Sequence, residues 1–361
     1  MARSYQTVRV LRVRLKDKHA RVLSEMAGAV HFVWNDCNAL SVKVLEREQR
    51  FIGSAELQRY LAGASKEGLA VGSVVFQQVA EEYVTRRVQH RKKKLAWRKS
   101  RGARRSLGWI PFKARSIQYR NGQIHFQGRA LGVWDRYGLG KYDFRAGCFA
   151  EDTRGRWYLN VCVRVDPVKA APAAKSVGID LGVKSLAAFS DAALPHVEAQ
   201  RFYRDLEPKL AMAQRANKKG LVRAICAKIA NRRKDHLHKL STWVVSQYGA
   251  IFVGNVNAAK LAQTRMAKSV LDAGWSTFRT MLQYKGDDAG GWFLEIDEAF
   301  STQTCSACNS RTGPKGTAGL GIREWVCSDC GTRHERDRNS AKIILRLGHE
   351  ALAGGIPALS A

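Results

Sequence analysis

Two pairs of cysteines carry the most specific chemistry in the sequence: Cys305-Ser306-Ala307-Cys308 and Cys327-Ser328-Asp329-Cys330. Two residues between thiolates let both sulfurs of one turn reach a single ion. The stretch 309–326 is long enough to form a hairpin that brings the pairs together. Gly331, directly after Cys330, supplies the loose backbone that such a turn needs. The set reads as a four-cysteine zinc ribbon. A ribbon is usually a structural device and names no reaction.

Carboxylates supply the reactive candidates. Asp337, in Arg336-Asp337-Arg338-Asn339, stands at the mouth of a helix whose apolar positions are Ala341, Ile344 and Leu345. A carboxylate there is an ordinary N-cap unless other acids converge on it. Asp180 lies inside the apolar run Val177-Gly178-Ile179-Asp180-Leu181-Gly182-Val183. An acid in a buried strand is costly unless it is hydrogen-bonded or holds a metal. Glu295, Asp297 and Glu298 cluster at the end of a further strand, Trp292 to Ile296. Asp180, Asp337 and an acid from between them are what a two-Mg²⁺ phosphodiester site needs. Two ions about 4 Å apart would hold the attacking water and the leaving oxygen in line.

The rest of the composition says what such a site would act on. The chain has 361 residues, with 45% hydrophobic and 9% aromatic content, so it folds around a substantial core. Its formal net charge is +30. That excess calls for a polyanion, and nucleic acid is the natural one. Docking on a membrane surface would want an amphipathic anchor or a lipidation signal, and a span would want about 18 apolar residues in a row; the sequence offers none of these. Met1 to Tyr5 lacks the apolar core of a secretion signal. Cys37, Cys148, Cys162 and Cys226 sit in apolar surroundings. They are expected to be reduced core residues of a bacterial cytoplasmic protein.

The elements that must position these groups follow from periodicity. Residues 6–15 alternate as a strand, with a bulge expected where the phase slips between Val10 and Leu11. Asp17 is expected to cap a helix over 18–48, followed by helices over 54–63 and 70–99. The third helix would end in a basic block: Arg86, Arg87, Arg91, Lys92, Lys93, Lys94, Arg98, Lys99, Arg101, Arg104 and Arg105. With almost no acid to balance it, this block is expected to contact phosphates. Strands are expected at 109–112, 116–119, 123–126 and 157–163, with Asn121-Gly122 as a hairpin turn. With the first strand they would form a small barrel or sandwich. Residues 166–175 look like a linker. Then come the Asp180 strand, strands at 186–189 and about 198–203, a basic helical pair over 206–248, a strand at 251–253, and a helix over 264–285. The helical pair carries Arg215, Lys218, Lys219, Arg232, Arg233 and Lys234. His236 and His238 within it are expected on the surface or facing phosphates. Trp34, Tyr60, Phe76 and Trp97 are core residues or base-stacking platforms.

This order of segments resembles the TnpB (OrfB) family, the insertion-sequence-encoded relatives of type V CRISPR effectors. The likeness rests on Gly178-Ile179-Asp180-Leu181-Gly182-Val183-Lys184, Ser301-Thr302-Gln303-Thr304-Cys305, the second cysteine pair with Gly331, and Arg336-Asp337-Arg338-Asn339. It implies an α/β protein with a wedge (OB-like) β-barrel over 1–16 and 106–168 and an inserted helical recognition lobe over 17–105. A linker at 169–175 would lead to a RuvC/RNase H-like domain over 176–300 and 334–350, interrupted by the zinc ribbon over 301–333. Residues 351–361 would be a tail. The implied activity is RNA-guided cleavage of double-stranded DNA beside a short flanking motif. The partners would be a guide RNA from the element's end and target DNA, with one RNA to a monomer and no membrane. Structural Zn²⁺ would sit on Cys305, Cys308, Cys327 and Cys330, and two catalytic Mg²⁺ ions on carboxylates that include Asp180 and Asp337.

One position departs from the family pattern. The family's middle glutamate ends the strand that here reads Ile251-Phe252-Val253-Gly254, and no acid stands nearby. Either Glu298, from the neighbouring strand's end, replaces it, with Glu295 and Asp297 in reserve, or the site is inactive and the protein is an RNA-guided repressor. Retention of both aspartates favours Glu298 as the third carboxylate.

Overall fold

A computed structural model describes residues 7–62, 68–102, 104–165, 173–256, 261, 263, 267–315 and 318–354. The chain divides into two units, Met1–Asp166 and Pro167–Ala361.

In the first unit, β1 (Thr7–Arg14) is followed by α1 (Ala20–Glu48), α2 (Ser54–Tyr60) and α3 (Ser73–Gln89). Six strands come next: β2 (Trp109–Phe112), β3 (Ile117–Arg120), β4 (Gln123–Phe126), β5 (Arg129–Gly132), β6 (Phe144–Glu151) and β7 (Trp157–Val165). They form two antiparallel sheets, β1-β7-β6-β2 and β3-β4-β5. Phe112, Phe126 and Phe149, with ring centroids 5.1–6.1 Å apart, join the sheets in one core. β5 and β6 were not expected. Arg129–Gly132 is too short and polar for alternation to show, and Phe144–Glu151 is broken by Gly147, whose Cα lies against the backbone of β7.

Three local expectations are corrected here. β1 pairs with β7 in unbroken register from Thr7↔Val165 to Arg14↔Tyr158, so there is no bulge. Leu11, Val13 and Leu15 face the core, while Val8 and Val10 lie on the exposed face. Asp17 does not cap α1; its carboxylate accepts from Arg14 at 2.8 and 3.0 Å. α3 stops at Gln89 rather than near 99, and Arg91 adopts a positive φ of 49° that turns the chain. The segment after it is tied to α1 by two asparagines. Asn38 bonds both backbone groups of Leu95 (2.9 and 3.1 Å), and Asn35 bonds both of Arg98 (2.8 Å each). Side-chain amides thus supply the partners that a helix would have supplied internally.

The second unit contains a five-stranded sheet in the order β10-β9-β8-β11-β12. Its strands are β8 (Ser176–Asp180), β9 (Ser185–Phe189), β10 (Val197–Glu198), β11 (Ala250–Gly254) and β12 (Trp292–Ile296). The strands from β8 to β10 run antiparallel to their neighbours, and β8, β11 and β12 run parallel. The expected strand at 198–203 shrinks to the two residues of β10, because Phe202 already starts a helix. The helices are α4 (Phe202–Arg215), α5 (Lys219–Gln247), α6 (Ala267–Ala273), α7 (Trp275–Asp288) and α8 (Arg336–Ala353). The single helix expected over 264–285 is split by Gly274 at φ 68° into α6 and α7; residues 264–266 lie outside the described ones. Most of the expected 166–175 linker also lies outside them.

The sheet is covered on both faces. Val177, Ile179, Ile251 and Val253 pack with Leu237, Val244, Phe278 and Leu282 of α5 and α7. Phe252 and Ile296 pack with Ile344 of α8. Alternation along a strand therefore turns Gly178, Asp180, Phe252 and Gly254 toward α8. Two glycines let that helix come down onto the strands. A Cβ on Gly178 would lie 2.1 Å from the carbonyl oxygen of Ala341, and one on Gly348 would lie 2.2 Å from the Phe252 ring. The start of α8 is thereby set beside the end of β8.

Candidate carboxylate centre and cysteine cluster

Register brings the acids together. Val253 pairs with Ile179, so Gly254 stands one step on, beside Asp180. Gly254 pairs with Ile296 on its other side, two residues before Glu298. The Glu298 amide donates to Asn255 Oδ1 at 3.3 Å, which turns the side chain back over β11. A Cβ built on Gly254 would lie 2.5 Å from Glu298 Oε2 and 3.4 Å from Glu298 Cβ. The Glu298 carboxylate thus fills the space that a side chain at 254 would use. Its neighbours face elsewhere. Glu295 is exposed and pairs with Arg279 at 3.0 Å; Asp297 is exposed and accepts from the Ala299 amide at 3.1 Å.

The electrostatics of the cluster report crowding of like charge. Burial pushes the Asp180 carboxyl up to about 8, and the nearby Glu298 and Asp337 push in the same direction. Burial also raises Glu298. A hydroxyl and a guanidinium support the ionised form: Ser340 Oγ donates to Asp180 Oδ1 at 3.0 Å and contacts Ser301 Oγ at 2.7 Å, and the charge of Arg336 acts in the same direction. Asp337 does not cap α8. Its two oxygens accept from Arg323 Nη1 at 3.2 Å each. Carboxylates gathered at one end of a sheet suit divalent cations with hard-oxygen preference.

Each residue of Arg336-Asp337-Arg338-Asn339 has a separate attachment. Arg336 donates to the carbonyl of Gly319 at 3.1 Å. Arg338 donates to the carbonyls of Asp191 (2.8 Å) and Leu194 (3.0 Å), between β9 and β10. Asn339 is buried; its amide donates to Thr304 O at 2.7 Å, and its oxygen accepts from the Ser306 amide at 2.9 Å. The first cysteine turn is therefore bolted to the helix that carries Asp337.

The cysteines form a second site. Their sulfurs all lie within 4.8 Å of one another, and among the described residues no other group of three or more His, Cys, Asp or Glu ligand atoms does so. Cys305 and Cys330 are 3.7 Å apart, and Cys308 and Cys327 are 3.6 Å apart. Sulfurs about 2.3 Å from a tetrahedral ion would be about 3.8 Å apart, so the four fit one metal. The two turns match: Asn309 donates to Cys305 O and Gly331 to Cys327 O, both at 2.9 Å, with φ of 68° and 72°. The Thr312 hydroxyl holds the Cys327 thiol down to about 6, whereas burial pushes Cys305 up to about 11. His334, buried against Trp325, contacts Cys305 Sγ at 3.0 Å. The carboxylates are spaced more widely than these sulfurs. A pair of ions about 4 Å apart needs acids on more than one side, not a one-ion cage.

The basic residues divide. Arg86, Arg91, Lys92, Lys93, Lys94, Lys99, Arg215, Lys218, Lys219, Arg232 and Lys234 are exposed. Arg87 is not available to phosphates. It is 4% exposed and donates to Ser41 Oγ (2.6 Å) and Ile52 O (2.7 Å). Arg98 is half-buried over Trp34 and Trp109, and Arg233 pairs with buried Asp272 at 2.9 Å. These three contacts are structural. Trp34 and Phe76 are core residues, whereas Tyr60 and Trp97 are exposed. Cys226 is exposed and not the core residue expected, because it lies on the open side of α5. His236 and His238 are half-buried, His236 against the Phe202 ring.

Sequence reasoning missed Ser340, Asn255, Arg323 and His334. Ser340 and His334 lie within three residues of Asp337, where a polar residue on the buried side of an amphipathic pattern was the available signal. Arg323 gave none.

Comparison with known proteins agrees with this layout. The OrfB_IS605 family model, described as "Probable transposase", matches residues 160–265, and "Cas12f1-like, TNB domain" matches 275–344. A Streptomyces pristinaespiralis protein named "Putative RNA-guided DNA endonuclease" is 29% identical over 94% of this chain and 88% of its own length. The "CRISPR-associated endodeoxyribonuclease Cas12f1" of Sulfoacidibacillus thermotolerans is 26% identical over 61% of this chain and 57% of its own. A cryo-EM structure of a Cas12f1–sgRNA–target DNA complex matches in fold with a TM-score of 0.59. It covers 94% of this chain and 98% of that one at 10% identity. The resemblance to the TnpB (OrfB) family read from the motifs is borne out. The α/β fold with a cysteine cluster toward the C-terminus stands with it.

Proposed function

We propose that the protein is an RNA-guided DNA endonuclease encoded by a transposable element, in which Asp180, Glu298 and Asp337 hold two Mg²⁺ ions. The observation that carries this reading is the Glu298 carboxylate lying over Gly254 beside Asp180. An inactive repressor has no chemical need for an acid folded back into that gap. The sheet order β10-β9-β8-β11-β12, with acids at the ends of adjoining strands and at the start of the covering helix, supports a RuvC/RNase H-like nuclease domain. The two sheets of the first unit support a wedge barrel of OB-like type with α1–α3 as its inserted lobe.

The bound magnesium would lower the pKa of water and neutralise charge on the phosphate. The chain's own residues do the rest. Ser340 holds Asp180 in one rotamer through its hydroxyl bond, Asn255 turns Glu298 inward, and Arg338 and Asn339 fix the helix that presents Asp337. Arg323, set against Asp337, supplies the local countercharge. Cys305, Cys308, Cys327 and Cys330 would hold structural Zn²⁺, which keeps Asn339's partner turn in shape. The exposed lysines and arginines on either side of Arg91, and on α4 and α5, suit the backbone of a guide RNA and its hybrid, whose base pairing would carry sequence specificity. A monomer with one RNA in the bacterial cytoplasm completes the reading.

The test is guided cleavage. The protein is co-expressed with RNA from its element's end, purified, and given Mg²⁺ and duplex DNA that carries a randomised flank beside the guide match. Cuts that depend on the match and on Asp180 support the reading. Match-dependent binding without a cut would make it a guided repressor.

A further inference from the structure

Phe300 has a backbone that its side chain does not explain. It adopts φ 64°, a region that suits glycine or asparagine and strains a bulky residue. The corresponding left-handed positions of the two cysteine turns hold Asn309 and Gly331, the residue types that geometry favours. The residue is not taken into the core in exchange, since Phe300 stays 49% exposed. The Arg311 guanidinium lies over the ring, 4.2 Å from its centroid. The backbone around it is rigid. Phe300 O accepts from the Gln303 amide (2.9 Å) and the Thr304 amide (3.0 Å), and the Ser301 amide donates to Glu298 O at 3.0 Å. Strain that the surroundings enforce, without packing gain, is a mark of a functional position.

Its place in the chain says what it could do. Phe300 is two residues past Glu298, so its Cα lies within about 7 Å of that residue's Cα. Asp180 and Asp337 complete the same end of the sheet. A strand whose phosphate reaches these carboxylates would carry its neighbouring base past the segment that holds the ring. An exposed aromatic face beside an arginine is the combination that holds single-stranded nucleic acid without reading its sequence. We propose that Phe300 and Arg311 form a stacking platform for a base of the single-stranded DNA next to the phosphate to be cut. Arg311 serves the sandwich from one side or the adjacent phosphate. The strained backbone holds the ring where its face stays open to solvent.

The inference rests on the nuclease reading for its meaning but is tested apart from it. The probe is a short oligothymidylate with one 2-aminopurine, whose fluorescence falls when it stacks. It is titrated onto the full chain in Ca²⁺. The platform predicts quenching by the wild type, about tenfold weaker binding and no quenching by Phe300→Gly, and recovery in Phe300→Trp. Glycine takes φ 64° without strain, so Phe300→Gly should melt no lower than the wild type, which separates a lost platform from a damaged fold. Arg311→Ala should weaken binding less than Phe300→Gly does. Equal quenching by the wild type and Phe300→Gly, or none by the wild type, would overturn the proposal. Guided cleavage run beside it tells the two readings apart. Quenching without cutting by the wild type removes the nuclease reading and leaves the platform. Cutting with an unchanged KM in Phe300→Gly removes the platform and leaves the nuclease.

Discussion

Exchanging the positions of one carboxylate is the sharpest perturbation the site allows. Gly254→Glu would place a Cβ 2.5 Å from Glu298 Oε2 and 3.2 Å from Ile344 Cδ1. The two acids would then compete for one space. Two carboxylates about 4 Å apart repel by about 4 kcal/mol at an effective dielectric near 20. Gly254→Glu alone should therefore destabilise the metal-free protein by about that amount at neutral pH and lower its cleavage rate. Glu298→Ala alone removes a metal ligand and should slow cleavage by at least about 100-fold. The double variant removes the repulsion and restores a carboxylate to the same space from the neighbouring strand. It should cut within about tenfold of the wild type and recover most of the lost stability. Single-turnover guided cleavage and thermal melts on all four proteins give the double-mutant cycle, with a coupling of about 4 kcal/mol expected. Additive losses, with the double variant worse than either single one, would show that positions 254 and 298 do not serve one site.

Further outcomes follow from the same contacts. Asp180 is pushed up to about 8 in the folded chain, so its own contribution to the stability of the metal-free protein is greatest below the ordinary carboxylate range and is lost as pH rises toward 8. The loss between pH 5 and pH 8 is on the order of 2 kcal/mol after allowance for solvent access, and it should vanish in Asp180→Asn melts. Arg87→Ala should cost about 3 kcal/mol in denaturant melts, since it strands Ser41 and the Ile52 carbonyl, and should leave the salt dependence of RNA binding unchanged. Lys92→Ala with Lys93→Ala should do the reverse, lowering the slope of log affinity against log salt by about 2 with no change in melting. Asn339→Ala should release the first cysteine turn from α8, read as faster zinc loss to a chelating dye and a loss of about 2 kcal/mol of stability in denaturant melts.

The candidate site was legible in the sequence where a residue type was out of place for its element. Asp180 inside an apolar strand and cysteine pairs at ligand spacing are costly or idle unless they have partners, so they stood out. Gly254 was visible as a gap only against the family's pattern, with Glu298 expected to fill it and Glu295 and Asp297 in reserve. What sequence could not give was direction. That Glu298 turns inward while Glu295 and Asp297 turn outward depends on the register of β11 against β12 and on Asn255. The same limit explains the arginines. Composition marked a basic block, but Arg87 sits on the buried side of α3, where its guanidinium closes a loop's hydrogen bonds. Charge pattern reads a net field, not which members of it point into the core. The expected overrun of α3 had a similar origin. Basic residues with good helix propensity continued the pattern past Gln89, while Asn35 and Asn38 of α1 offered their backbone a better set of partners.

The central claim is that Glu298 completes a metal site with Asp180 and Asp337. Crystals of the protein soaked in Mn²⁺ and measured at the manganese edge test it without reference to any guide or target. Anomalous peaks in contact with all three carboxylates, and loss of the peak beside residue 298 in Glu298→Ala, are predicted. Peaks on Asp180 and Asp337 that Glu298 does not touch, or no peak at that end of the sheet, would contradict it.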